Sequence, residues 1–212
     1  MSKKAVPLCP ISKEMANEVQ KDIITKAGEM FFRLGIRSVT IDDICRELGI
    51  SKKTFYVYFA SKDELVAKLL HANITHMADK MQQLLDSQDF LKLLKKFVSF
   101  QSKEEKDVRR VPQLVYDLKK YYPRQFADFQ HECFITQKDY IQAYLELGQR
   151  QGYVRANLNI ALTATLFAKI HSDALRDLEE IESHGLNMHQ LGHTAMDVFV
   201  RGVLTEKLKV ES

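Results

Sequence analysis

Proline is almost missing from this chain, and no other feature constrains its fold as much. The four prolines are Pro7, Pro10, Pro112 and Pro123, so the stretches 11–111 and 124–212 contain none, and eight glycines do little to interrupt them. Such stretches can sustain long helices, because no residue removes a backbone donor or clashes with the preceding turn. The apolar residues settle which element forms, since they recur at helical rather than alternating spacing. Leu65, Leu69, Ile74, Met77, Met81 and Leu84 make one stripe; Phe126, Phe129, Cys133, Tyr140, Tyr144 and Leu147 make a second. Ile160, Ala164, Phe167, Ile170, Ala174, Leu178 and Ile181 follow, then Leu191, Ala195, Val198, Gly202 and Val203. The expectation is an all-α protein.

The breaks divide the chain. Up to Ser61 the helices are short and end at turn signals, Gly35 and Gly49; beyond it they lengthen. Ser61-Lys62-Asp63-Glu64 has capping-box spacing, in which Ser61 caps a backbone N–H and Glu64 reaches back to Ser61. A helix is therefore expected from Ser61 to about Leu85. The domain reading is an N-terminal arm over 1–14, a three-helix head over 15–66, and a larger helical body over 67–212. The long helix joins head and body without a flexible linker. Lys103–Arg110 reads as a solvated, mixed-charge helix end. The arm carries Lys3, Lys4 and Lys13; its short apolar stretch around Cys9 is interrupted by Pro7 and Pro10, too early for a signal peptide. No run approaches the ~18 apolar residues of a membrane span.

Residues 40–65 carry the chemistry. Thr40 can cap a short helix whose apolar face is Ile41, Ile44, Cys45 and Leu48, with Asp43 as the capping-box acid. Gly49 ends that helix in a left-handed conformation, Ile50 is a buried spacer, and Ser51 caps the next helix. This is the order of a helix-turn-helix. In the second helix Phe55 and Phe59 can anchor inward, and no acidic residue occurs between Ser51 and Lys62. Lys52, Lys53, Tyr56, Tyr58 and Lys62 are placed to reach phosphates, and Thr54 to touch a base edge or thymine methyl.

These residues resemble the DNA-binding domain of the tetracycline-repressor (TetR) family. The similarity runs over residues 24–65 through Ile24, Ala27, Phe32, Gly35, Thr40, Ile44, Leu48-Gly49-Ile50-Ser51, Thr54-Phe55-Tyr56, Phe59 and Ser61-Lys62-Asp63-Glu64-Leu65. Cys45 stands where the family usually has Ala, a small apolar replacement. The resemblance implies a homodimer binding palindromic operator DNA, a body that senses a small-molecule effector, and a repressor released by that effector. It points to Thr40, Ser51, Lys52, Lys53, Thr54, Tyr56, Tyr58 and Lys62 as DNA contacts, and it implies a cytoplasmic protein.

The body is less explicit. Gly152 is expected to end one helix and Asn157 to cap the next, with two long helices over 157–181 and 187–207. Ala164, Phe167, His171, Leu191, Ala195, Phe199 and Gly202 are expected at a dimer interface, where two heads must sit about one DNA turn apart. Phe97, Phe100 and Phe134 belong to a run of aromatics over 96–171, most of which read as core. Tyr116, Phe126, Phe129, His131, Tyr140, Tyr144, Phe167 and His171 are the expected lining of an effector pocket.

Other functions fit the sequence less well. The net charge of +3, with a pI near 8.6, is modest for a non-specific architectural DNA binder. No nucleophile elbow, zinc-protease, phosphate-loop or dinucleotide glycine pattern occurs, so an enzyme is not expected. Three scattered cysteines read as free thiols. His189, His193 and Asp197 share a helix face, but without a thiolate they read as a polar patch; neither a metal nor a cofactor is expected.

Overall fold

The computed structural model describes residues 13–101, 111–186 and 188–205. Its elements are helices: α1 (Lys13–Leu34), α2 (Ile41–Leu48), α3 (Lys52–Tyr58), α4 (Lys62–Leu85), α5 (Phe90–Gln101), α6 (Val111–Tyr121), α7 (Pro123–Arg150), α8 (Ile160–Arg176), α9 (Leu178–Ser183) and α10 (Met188–Val203). Among the described residues the one strand-like feature is an isolated antiparallel bridge between Val154 and Leu204. The arm and Lys103–Arg110 lie outside the described residues, apart from Lys13 and Glu14, which open α1. The chain separates into two compact units between Leu69 and Leu70, three residues past the expected boundary. Helix α4 supplies residues to both.

In the first unit α1 turns Ile23, Ala27, Met30 and Phe31 inward, the i, i+4, i+7, i+8 pattern of a buried helix face. Ile24 and Phe32, carried by the family resemblance, are only half-buried. Gly35, at φ 84°, turns the chain out of α1, and its N–H donates to Phe31 O at 2.8 Å. Ile44 and Cys45 of α2, Phe55 of α3, Phe59, and Leu65 and Val66 of α4 complete the core. Burial pushes the Cys45 thiol pKa up, which makes it an inert packing group.

The second unit is built on α7, which packs along α8 and also against α5 and α6. Its main core joins Phe90 and Leu93 to Ile141, Tyr144, Leu145 and Leu147, and then to Ala164, Phe167, Ala168, Met196, Phe199 and Val203. Phe90 stacks on Tyr144 with ring centroids 4.6 Å apart and on Tyr153 at 5.7 Å. Gly148 makes room for this arrangement: a Cβ there would lie 2.6 Å from the Phe90 ring and 2.4 Å from a Val154 methyl. The Gln151 amide closes the α4–α5 turn by accepting from Phe90 N–H and donating to Gln88 O. At the far end Arg155 N donates to Val203 O and Thr205 N to Tyr153 O, tying the end of α10 to the segment after α7.

Three local expectations need correction here. The cap of α8 is Asn159, not Asn157: Leu162 N–H donates to Asn159 Oδ1 at 3.0 Å. Residues 155–158 instead form a turn, closed by Leu158 N on Arg155 O and held by the Gln149 amide. The helix expected over 157–181 breaks at Asp177, which leaves helical geometry (φ −104°, ψ 22°) and holds Arg176 through two side-chain hydrogen bonds. At α4, Glu64 N–H does donate to Ser61 Oγ, but the Glu64 carboxylate reaches Ala60 N–H at 2.7 Å rather than that of Ser61. Phe59 is extended (φ −140°), so the helical hydrogen bonding of α3 ends before Ala60 and its N–H needs another acceptor.

Candidate nucleic-acid interface

Both short helices of the first unit are capped by their own sequence. At α2, Thr40 Oγ1 accepts from Asp43 N–H at 3.2 Å and the Asp43 carboxylate accepts from Thr40 N–H at 2.9 Å, a complete capping box. Hydrogen bonds from the Thr40 hydroxyl and N–H, with the Arg46 charge alongside, hold the Asp43 carboxyl below its usual pKa of 3.8. Gly49 then takes the left-handed conformation (φ 65°, ψ 27°), and Ile50 N–H closes back onto Cys45 O. Ile50 itself is half-buried rather than buried. At α3, Ser51 Oγ accepts from Thr54 N–H at 3.0 Å and lies 2.9 Å from Thr54 Oγ1.

This scaffold decides where each predicted contact residue sits. Ser51, Lys52, Lys53, Tyr56 and Thr40 are exposed. Lys52 pairs with Asp42 across the turn at 2.7 Å; the hydrogen bond and charge of Asp42 raise the lysine pKa. Lys53 has no ion-pair partner among the described residues. Thr54 is half-buried, and its hydroxyl faces that of the capping serine. At 100° per residue, Lys53, Tyr56 and Val57 fall within one outward arc of α3, with Phe55 on the opposite side. Val57 is 69% exposed and was not among the expected contacts, although its place one turn after Lys53 marks it.

Two expected contacts are placed differently. The Tyr58 hydroxyl is buried and has no hydrogen-bond partner among the described residues. Residue 58 follows Phe55 by three and so shares the inward side of the helix. The Lys62 ammonium donates to Ile36 O and to Val39 O, both at 2.5 Å, and lies 5.5 Å from the Phe31 ring centre. It is turned into the loop after α1, where carbonyls without helical partners need a donor.

Among the described residues, those expected at the effector pocket lie partly together and partly apart. Tyr144 and Phe167 belong to one core cluster with the half-buried Tyr140 packed against it, Phe126 is buried outside it, and Phe129 is half-buried. Tyr116 is exposed, with its hydroxyl accepting from Lys120 at 2.7 Å, and His131 is exposed on α7. His171 lies half-buried with its ring 5.5 Å from Phe167, and burial lowers its pKa. An open groove of about 380 Å³ lies where α8, α9 and α10 meet; its lining includes Ala174 and Ile181 and the charged Asp173 and Glu180. None of the eight expected pocket residues lines it. The side chains of Phe97, Phe100 and His189 lie outside the described residues. Among the described residues no group of three metal-binding side chains occurs.

The expected dimer residues divide as well. Ala164, Phe167 and Phe199 are buried within the chain, with Phe167 and Phe199 rings 4.2 Å apart. Leu191, Ala195 and His171 are half-buried, and only Gly202 is exposed. The apolar side chains that do face outward are their neighbours Leu162, Leu166 and Ile170 on α8 and Val198 on α10, between 47% and 66% exposed.

Two short capped helices, a left-handed glycine between them and a cationic, aromatic outward arc define a helix-turn-helix domain. Residues 23–69 match the family described as bacterial regulatory proteins, tetR family, and this part of the chain belongs to it. The chain is 30% identical over 83 residues to YvdT of Bacillus subtilis, an uncharacterized HTH-type transcriptional regulator, covering 39% of this chain and 42% of that one. It is 31% identical over 71 residues to the HTH-type transcriptional repressor KstR2 of Mycobacterium tuberculosis, covering 34% and 36%. The matches therefore span well under two thirds of either relative. The fold likeness extends further: a TetR-family transcriptional regulator from Agrobacterium tumefaciens superposes with a TM-score of 0.63 at 17% identity, covering 90% of this chain and 100% of that one. Both units thus have the helical fold of these regulators.

Proposed function

We propose that this chain is a sequence-specific DNA-binding transcription regulator, working as a homodimer in the cytoplasm and releasing a palindromic operator when a small molecule binds its body. One observation carries the reading. The helix-turn-helix presents Lys53 and Tyr56 on one exposed arc of α3, with Ser51 and Thr40 also exposed at the two helix caps, while Phe55 and Phe59 fix the helix from within. Lysine and tyrosine at that surface position a protein on phosphates, and a short helix of this kind enters the major groove. The action is binding rather than catalysis.

The exposed row Leu162, Leu166 and Ile170, with Val198, supports dimerisation through α8 and α10. This row replaces the buried Ala164, Phe167 and Phe199 as the contact surface. Such residues one helical turn apart form a continuous apolar strip, the kind of surface that a second copy covers. Effector control needs a coupling of roughly 1–3 kcal/mol between body and head. Helix α4, shared by both units, is the covalent route for it. No described helix is long and apolar enough to cross a membrane. Sedimentation of the full chain with a duplex chosen by its own selection tests the reading. Two chains per duplex are expected, and Lys53→Ala with Tyr56→Ala should abolish the complex while leaving the dimer. Undiminished binding by that double variant would remove α3 from the interface and the reading with it.

A further inference from the structure

Val57 is, at 69%, the most exposed large apolar side chain among the described residues. A lone exposed apolar residue is ordinary and by itself says nothing. Its surroundings say more. Phe55 is fully buried and Phe59 nearly so, and together they anchor α3; Val57, on the opposite side, adds nothing to that core. A β-branched residue also restricts its own rotamers in a helix, so a straight polar side chain would suit a merely solvated face better. Val57 stands one turn from Lys53 and beside Tyr56, which is 52% exposed and held edge-on against Phe55 at 5.5 Å.

Two other side chains of α3 that could touch an apolar group on a base are partly covered. Thr54 is half-buried with its hydroxyl on Ser51, and Tyr58 turns its hydroxyl inward. Valine has no donor or acceptor, and the major groove offers an apolar group at one base only, the C5-methyl of thymine. We infer that Val57 is the specificity-determining residue of α3, packing its methyl groups on a thymine methyl in each half-site while Lys53 and Tyr56 hold the flanking phosphates. The inference rests on the DNA-binding reading above.

The test uses the full chain and the duplex it selects, replacing each thymine in turn by deoxyuridine, which removes only the C5-methyl. Wild type should lose about fourfold in affinity at one thymine of a half-site, the worth of one buried methyl group. Changing both symmetric positions should cost about sixteenfold. Val57→Ala, an exposed substitution by a better helix former, should bind the thymine and uracil duplexes equally at that position and keep wild-type discrimination elsewhere. A variant with unchanged sensitivity to uracil overturns the assignment, as does a selected duplex in which no thymine methyl matters. A chain that selects no duplex at all overturns the DNA-binding reading itself, a result the uracil series cannot produce.

Discussion

Replacing Lys62 by methionine separates a structural role of lysine from a phosphate-binding one. Its ammonium bridges Ile36 O and Val39 O, carbonyls 26 and 23 residues away, and so pins the loop before α2 to the first turn of α4. A hydrogen bond to a charged group is worth about 1.5–3 kcal/mol, but Lys62 is only half-buried and part of each bond is recovered by water. The net loss for Lys62→Met should therefore be about 2 kcal/mol of stability in the first unit, read from urea denaturation followed by far-UV circular dichroism. DNA binding should respond differently. Each lysine on a phosphate contributes about 0.9 to the slope of log K against log salt. Lys53→Met should lower that slope by about 0.9 per subunit with little change in stability, whereas Lys62→Met should leave it unaltered. A Lys62→Met chain of wild-type stability with a reduced slope would refute the clamp and return Lys62 to the phosphate backbone.

Gly148→Ala should destabilise the second unit by about 1–3 kcal/mol, because the added methyl meets a Phe90 ring already stacked between Tyr144 and Tyr153; thermal denaturation reads it, and an unchanged melting temperature would contradict the packing described. Acid should loosen the first unit. Asp43 and Glu64 both have pKa values lowered from 3.8 and 4.5, Asp43 mainly by Thr40 and Glu64 mainly by the Ala60 N–H. Their contribution is complete above about pH 4.5 and is lost as the pH falls through the lowered values, so Asp43→Asn with Glu64→Gln should flatten the decline in melting temperature measured between pH 5 and 3. Leu166→Glu, on the exposed row of α8, should raise the dimer dissociation constant on the order of a hundredfold, since two leucines leave the interface at about 1.5 kcal/mol each; sedimentation equilibrium would show an unaffected dimer if another face is used.

Much of the head could be read from the sequence because its signals are local. Thr40, Gly49 and Ser51 act on backbone groups within four residues, and each occupies the position its chemistry implies. The body depends on choices that spacing cannot make. Helix α8 has apolar residues on two sides: Ala164 and Phe167 are three residues apart and Leu162, Leu166 and Ile170 four, and both spacings are helical. Periodicity marks a stripe through Ala164, Phe167 and Ile170 but does not show that Ile170 faces outward with Leu162 and Leu166. The break at Asp177 has no glycine or proline to announce it. Lys62 and Tyr58 have side chains whose types suit phosphates, yet the direction of a side chain depends on the loop or core it meets across space. Val57 draws no notice in the sequence, because an apolar residue in a basic helix reads as filler until its exposure is known.

Base recognition by α3 separates a sequence-specific regulator from a chain held to DNA by charge alone. The most direct measurement is selection of random duplex DNA by the purified full chain at two salt concentrations. An inverted repeat with half-site centres about 10 base pairs apart, or a multiple of that, recovered at both concentrations, is the predicted result. Recovery of duplexes with no shared motif, retained at low salt and lost at high, would reduce the contact to phosphate attraction and contradict the claim.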